Sequence, residues 1–355
     1  MKRVLKKSLG NIVNKMNFNN TPIDWHQVHK VIDSSLRIML TTHENPDGDG
    51  LGAECGLYYH LKESGKDIRI INYSPLPKEY YYLNADNIFE CYDEDKHNNW
   101  IQEIDLVIVF DVGDFVRVRS IVDAVEKFKL KTMNIDHHPH PEHHPFTHNI
   151  VDISAAATGC MVYDYLKVAR QEPLDKKSLE GIYTAVMTDT GCFKYSNTDN
   201  KCHEIAIESL NAGVETHLVY QRVYENSTKS RMALMGEFLA NLNYELDGKL
   251  AWFCITQEMV KNANATKADV EGFSDLVRSI QGVEVALMIF EQNDISCRIN
   301  FRSKGKYIVN DIAKALGGGG HAYAAGAVVS GELNEAIDAT VEASITSLNR
   351  QMVVS

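Results

Sequence analysis

Hydrophobic and polar positions in the first two thirds of the chain alternate between short apolar runs and longer stretches of helical spacing. RIMLTTH, DIRIINY, DLVIVFDVGD and TMNIDHH are β-rich and apolar on both faces, whereas GAECGLYYHLKESG, ATGCMVYDYLKVARQ and SLEGIYTAVMTDTG repeat their apolar positions with a helical period. Strands without a polar face must be covered on both sides. The alternation therefore predicts an α/β unit, a parallel sheet with helices on both faces, in which ligands collect beyond the carboxyl ends of the strands. Residues 203–242 read as mostly helix. NYELDGKLAWFCI then sets a D-G turn between two alternating runs, the pattern of a hairpin, and opens a second β-rich unit. That unit continues through GVEVALMIFEQNDISCRINFRS, helical VNDIAKAL and the run GGGGHAYAAGAVVSG. The organisation expected is a first domain over 1–215, a helical connector over 216–240 and a smaller α/β domain with a mixed sheet over 241–355, without internal repeats.

Composition narrows the function. The 355 residues are 44% hydrophobic, enough for real cores, and the formal net charge of -12 argues against the basic surface that grips duplex DNA, while leaving a small anionic substrate open. Seven cysteines with no C-x-x-C pair read as reduced intracellular thiols. The start, MKRVLKKSLGNIVNKMNF, reads as a basic, loosely amphipathic helix without the apolar core of a secretory signal, and no segment approaches about eighteen consecutive apolar residues. A cytoplasmic protein without a membrane partner is the expectation.

Candidate chemistry gathers at strand and helix ends of the first domain. TTHENPDGDG follows RIML, and its turn residues can aim His43, Asp47 and Asp49 at one point; the alternative is a polar turn whose aspartates cap the next helix. An EF-hand calcium loop is excluded because Leu51 occupies a position that needs an oxygen ligand. Asp111 ends the apolar run LVIVF, with Asp114 a surface or turn-capping residue, TMNIDHH delivers Asp136, His137 and His138, and AVMTDTG delivers Asp189. Two carboxylates about 5 Å apart repel by roughly 3 kcal/mol at an effective dielectric near 20, so convergence of these acids implies bound cations. Carboxylates and imidazoles without a thiolate suit two divalent ions of the Mn²⁺ type, a pair able to activate water and hold the entering and leaving oxygens of a phosphoryl displacement.

In this order, H-E-N-P-D-G-D at 43–49, F-D-V-G-D at 110–114, D-H-H-P at 136–139 and M-T-D-T-G at 187–191 resemble the four motifs of the DHH phosphoesterase superfamily. GGGGH at 317–321, followed by AYAAGA, resembles the glycine-histidine signature of its DHHA1 domain. The resemblance implies that His43, Asp47, Asp111 and Asp189 hold one metal and Asp49, Asp111, His137 and Asp189 the other. It places His138 beside the substrate phosphate and makes Asp136 a residue that orients a histidine. His140, His143 and His144 are expected to be solvated loop residues.

The second domain bears on substrate. Gly318, Gly319 and Gly320 let the backbone approach a ligand and offer N-H donors at the start of a helix expected over AYAAG, with His321 at the same end. Arg298 and Arg302 share a side-chain direction in CRINFRS and would supply charge for a 5′-terminal phosphate, Arg302 also by its resemblance to a substrate-binding arginine of DHHA1 domains. Lacking an OB-fold or sensor segments, the layout resembles the compact nanoRNase and 3′-phosphoadenosine-5′-phosphate (pAp) phosphatase group. That implies hydrolysis of short 5′-phosphorylated RNA to mononucleotides, and of pAp, with dinucleotide phosphodiesterase activity or a non-catalytic nucleotide-binding role as alternatives. Short single-stranded RNA, dinucleotides and pAp are the expected partners, a homodimer stays open, and neither duplex DNA nor a membrane is expected.

Overall fold

The computed structural model describes residues 22–141, 143–170 and 172–354, so the basic helix expected at the N-terminus lies outside the described residues. The chain divides into two compact units, Met1–Asn226 and Ser227–Ser355. No helix among the described residues is long and apolar enough to cross a membrane.

In the first unit the elements run α1 (Trp25–Asp33), β1 (Arg37–Thr42), α2 (Gly48–Glu63), β2 (Asp67–Asn72), β3 (Phe89–Cys91), α3 (Glu94–Ile101), β4 (Leu106–Phe110) and α4 (Ser120–Phe128). They continue through β5 (Thr132–Asp136), β6 (His148–Val151), α5 (Thr158–Ala169), α6 (Lys176–Asp189), α7 (Asn200–Asn211) and α8 (Thr216–Tyr224). The strands form one sheet in the order β3-β2-β1-β4-β5-β6, with every pairing parallel. Its two faces explain the two-sided apolar runs. Ile38, Leu40, Ile108, Phe110 and Ile135 pack with residues of α2, α5 and α6, whereas Met39, Val107 and Val109 pack with Ile101 of α3 and Ile121 and Val125 of α4. From β1 the chain first works outward to β2 and β3 and then returns to lay β4 on the other side of β1. Such a reversal opens a crevice beyond the strand ends, where loops diverge to either side.

The second unit comprises α9 (Lys229–Leu239), β7 (Asn243–Glu245), β8 (Leu250–Ile255), α10 (Gln257–Asn262), α11 (Phe273–Arg278), β9 (Val285–Asn293), β10 (Ser296–Ser303), α12 (Asn310–Ala315), β11 (Gly319–His321), β12 (Ala324–Ser330) and α13 (Leu333–Val354). Its sheet has the order β11-β12-β10-β9-β8-β7 and is mixed, because β8 and β9 are parallel and the other neighbours antiparallel. One face packs on α12 and α13, the other on α9 and α11.

The helix expected over AYAAG is instead a hairpin of β11 and β12. Alanine favours helix, but β12 completes its backbone hydrogen bonds by pairing along β10 from Ala324 to Ser330, and that ladder overrides the local preference. The glycines serve the hairpin's tight backbone. A Cβ on Gly318 would lie 2.1 Å from the Gly326 carbonyl oxygen.

Candidate functional site

Five segment ends of the first unit bring their side chains together. His43 follows β1, Asp47 and Asp49 stand at the start of α2, Asp111 follows β4, Asp136 ends β5 with His137 and His138 after it, and Asp189 is the last residue of α6. Two tight features place them. Asp111 has a left-handed backbone, φ +56°, which few side chains other than Asn and Asp accept. Helices α2 and α6 run antiparallel at close range because Gly48, Gly52 and Gly56 face Thr188, Gly181 with Ala185, and Ile182. A Cβ on Gly52 would lie 2.3 Å from the Gly181 carbonyl oxygen. That approach sets Asp49 beside Asp189.

His43 Nε2 stands 3.6 Å from Asp111 Oδ2 and 3.7 Å from Asp47 Oδ2. His137 Nε2 stands 3.5 Å from Asp111 Oδ1, 3.5 Å from Asp189 Oδ2 and 3.6 Å from Asp49 Oδ2. Donor atoms of three overlapping sets each lie within 4.8 Å of one another: His43, Asp47 and Asp111; Asp49, His137 and Asp189; and Asp111, His137 and His138. Donors about 2.1 Å from one ion are roughly 3.0–3.4 Å apart, so these near-equal spacings, too long for hydrogen bonds, fit donors arrayed around a shared cation. Asp111 belongs to two sets, with one oxygen toward each of His43 and His137.

The outer contacts aim these donors. His43 Nδ1 is 2.7 Å from the Glu44 carbonyl oxygen and His137 Nδ1 is 3.2 Å from that of Ala155, so each ring donates from Nδ1 and turns Nε2 to the carboxylates. Asp49 accepts the Thr158 amide at 2.7 Å and the Gly159 amide at 2.9 Å, both from the start of α5. Asp47 caps α2 by accepting from the amides of Asp49 and Gly50. Glu54, buried on α2, accepts from Asn72 Nδ2 at 2.8 Å, and Asn72 Oδ1 accepts the Thr42 amide at 2.9 Å just before His43.

Electrostatics state the same requirement. Burial raises Asp49 well above the usual carboxylate range, and the neighbouring charges of Asp111 and Asp189 raise it further. Burial likewise lifts Asp189 to about 6, against His137. Burial would lower His43 and His137, but Asp111 with Asp47 holds the former at about 10, and Asp111 with Asp49 and Asp189 holds the latter at about 9. Asp111 and Asp136 hold His138 at about 10 despite burial. Protonated histidines thus supply the positive charge that the acids demand, and divalent cations would replace it. The donor set fits them.

Asp136 lies behind this cluster, fully buried, with Oδ2 accepting the amides of Val112 at 3.1 Å and Gly113 at 2.7 Å and Oδ1 accepting from the His138 amide and ring Nδ1, both at 2.9 Å. Asp114 caps a short turn by accepting from Val116 N. Of the loop histidines expected to be solvated, only His143 is exposed. His144 is buried, and His140 places Nε2 2.7 Å from Asp136 Oδ2 with a 5% exposed side chain. The sequence offered only a weak signal: His140 is four residues beyond the acid, between Pro139 and Pro141.

In the second unit, Arg298 and Arg302 do share one face of β10, but each meets an acid: Arg298 Nη2 is 2.7 Å from Glu271 and Arg302 Nε is 3.4 Å from Asp275. Asp275 also holds Arg278 at 3.2 Å. Gly319, Gly320 and His321 form β11, with His321 exposed.

Residues 37–186 match the DHH family, N-terminal domain, and residues 252–347 match the DHHA1 domain. The chain is 30% identical over 322 residues to the bifunctional oligoribonuclease and PAP phosphatase NrnA of Thermus thermophilus, covering 88% of this chain and 90% of that protein. It is 28% identical over 297 residues to the protein of the same name from Bacillus subtilis, covering 82% and 89%. Among solved structures, an exopolyphosphatase-related protein from Bacteroides fragilis superposes with a TM-score of 0.85 at 26% identity, covering 92% of this chain and 97% of that one. RecJ bound to manganese shares the fold, with a TM-score of 0.52 at 11% identity over 91% and 95%.

Proposed function

The chain belongs to the DHH family, with a DHHA1 domain after its DHH domain, and from that membership we propose that it hydrolyses phosphoester bonds of short 5′-phosphorylated oligoribonucleotides and of pAp. The observation that carries this reading is the convergence of His43, Asp47, Asp49, Asp111, His137 and Asp189, in a chain similar over most of its length to proteins named for both activities.

His43, Asp47, Asp111 and Asp189 are assigned to one divalent ion and Asp49, Asp111, His137 and Asp189 to a second. The opposed oxygens of Asp111 support its bridging role, and that of Asp189 follows the family resemblance. Such a pair of ions, Mn²⁺ in preference to others for this donor set, supplies polarisation of the phosphate and activation of water when bound. His138, tied to Asp136 through Nδ1 and 41% exposed, keeps Nε2 for the phosphate, where its proton would stabilise developing charge on a phosphoryl oxygen. Asp136 sets that ring's direction. In the second unit, Arg298, Arg302, Gly318, Gly319, Gly320 and His321 are assigned to the substrate, with Arg302 meeting its 5′-phosphate. The net charge of -12 suits short chains gripped locally better than duplex DNA.

Product analysis tests the reading. The protein with Mn²⁺ is incubated with 5′-phosphorylated RNA dinucleotide, pAp, cyclic di-AMP or pyrophosphate, beside Asp111→Asn, which removes the bridging charge but tolerates the left-handed backbone. Mononucleotide from the dinucleotide and AMP from pAp, both lost in the variant, are expected; phosphate from pyrophosphate alone would overturn the assignment.

A further inference from the structure

We propose that His140 is a positioning residue that fixes Asp136 and, through it, the reactive direction of His138. The inference rests on the catalytic role given above to His138.

The Asp136 carboxylate can only accept, so the His140 nitrogen that faces its Oδ2 at 2.7 Å carries the hydrogen. The other ring nitrogen, Nδ1, is buried and has no hydrogen-bond partner among the described residues, and an orphaned N-H there would cost more than a bare lone pair. The hydrogen therefore sits on Nε2. The ring is held by its surroundings: Phe146 meets it edge-on with centroids 5.9 Å apart. At 5% exposure, and on the far side of Asp136 from His138, the imidazole acts through the carboxylate.

Asp136 thus has one oxygen for each histidine. Oδ2 takes His140 and two backbone amides, and Oδ1 takes the amide and Nδ1 of His138. The amides fix where the carboxylate lies, and His140, the only side-chain donor on Oδ2 among the described residues, resists its rotation about the Cβ–Cγ bond. A turn of that carboxylate would leave His138 Nδ1 to Asp111 Oδ1 alone, 3.1 Å away, and draw the ring off its line to the phosphate. The reaction would slow while His43, His137, Asp47 and Asp49, anchored by groups other than Asp136, stayed in place.

The experiment compares His140→Leu, which fills the space without a donor, with His140→Gln, whose amide nitrogen can take the place of Nε2, in the full-length protein with Mn²⁺. Two substrates are used: bis(4-nitrophenyl) phosphate, which reports the metal site alone, and 5′-phosphorylated RNA dinucleotide. His140→Leu is expected to lower kcat about 10–100-fold on both with KM within about twofold, with Mn²⁺ bound per protein, read from the resonance of free ion, unchanged. His140→Gln should restore most of kcat. Full activity of His140→Leu, equal loss in both variants, a loss confined to KM, or loss of bound Mn²⁺ would each overturn the proposal. If leucine is not tolerated, His140→Met, more adaptable in shape, takes its place under the same outcomes. Wild-type activity on the chromogenic diester without activity on the dinucleotide would instead fail the substrate reading, and His140 would still be judged on the former.

Discussion

Asp47 does two jobs at once. One carboxylate oxygen caps α2 while the other stands 3.7 Å from His43, so the capping turn and the candidate metal-ligand turn are one structure. His43, Asp111, Asp136 with its two histidines, and Asp189 stood out because each ends or directly follows an apolar run, where a charge has no cheap place to go, and Asp47 and Asp49 because a Pro-Gly turn carries them. The groups that hold them were not. The amides of Thr158 and Gly159 on Asp49 leave no trace in side-chain identity, and His140 looked like one polar residue among several. Glu54 was equally silent. It is fully buried, one of its oxygens has no partner among the described residues, and burial pushes its pKa from 4.5 up to about 8 although Asn72 opposes this. An acid whose pKa is raised on folding stabilises fully below the unfolded value and loses that contribution as pH rises through the folded one. Stability should therefore decline between about pH 5 and pH 8 through this group, by up to about 1.4 kcal/mol per pH unit. Glu54→Gln should flatten that slope in urea titrations across the range; an unchanged slope would refute the assignment.

Among elements, the pairing of α2 with α6 determines the site's width. Gly48, Gly52 and Gly56 recur at helical spacing on the face toward α6, and at Gly52 the atoms a Cβ would strike are backbone, which cannot turn aside. Gly52→Ala should force the helices apart, cost roughly 1–3 kcal/mol and weaken Mn²⁺ binding, since Asp49 and Asp189 separate. Gly56→Ala meets chiefly the Ile182 side chain and should cost less, a ranking that thermal unfolding with and without Mn²⁺ would check. The helical period of both segments was plain in the sequence, but which face they shared was not. The Ala-rich run after GGGGH shows the opposite limit: its residues favour helix, and only the open edge of β10, contributed by residues more than twenty positions earlier, makes it a strand.

At the scale of the molecule, the proposed chemistry and the proposed substrate selection fall on different units. The two arginines expected to bind phosphate are countered by Glu271 and Asp275, so an incoming phosphate must compete with carboxylates already in place. Arg302→Ala should raise KM for a 5′-phosphorylated dinucleotide at least tenfold while leaving bis(4-nitrophenyl) phosphate hydrolysis nearly unchanged. Equal effects on both would remove Arg302 from its assigned role. The parallel sheet and the mixed sheet were both foreshadowed by apolar patterning, whereas the acids opposite the arginines belong to α11 and the residue before its glycine cap, and no local pattern links them to β10. Every donor of the candidate metal cluster lies between His43 and Asp189, in the unit synthesised first. On the ribosome, the nascent chain therefore carries a complete set of ligands before the second unit has been translated. Capture of cations can precede completion of the second unit, so that the clustered carboxylates are neutralised while synthesis continues.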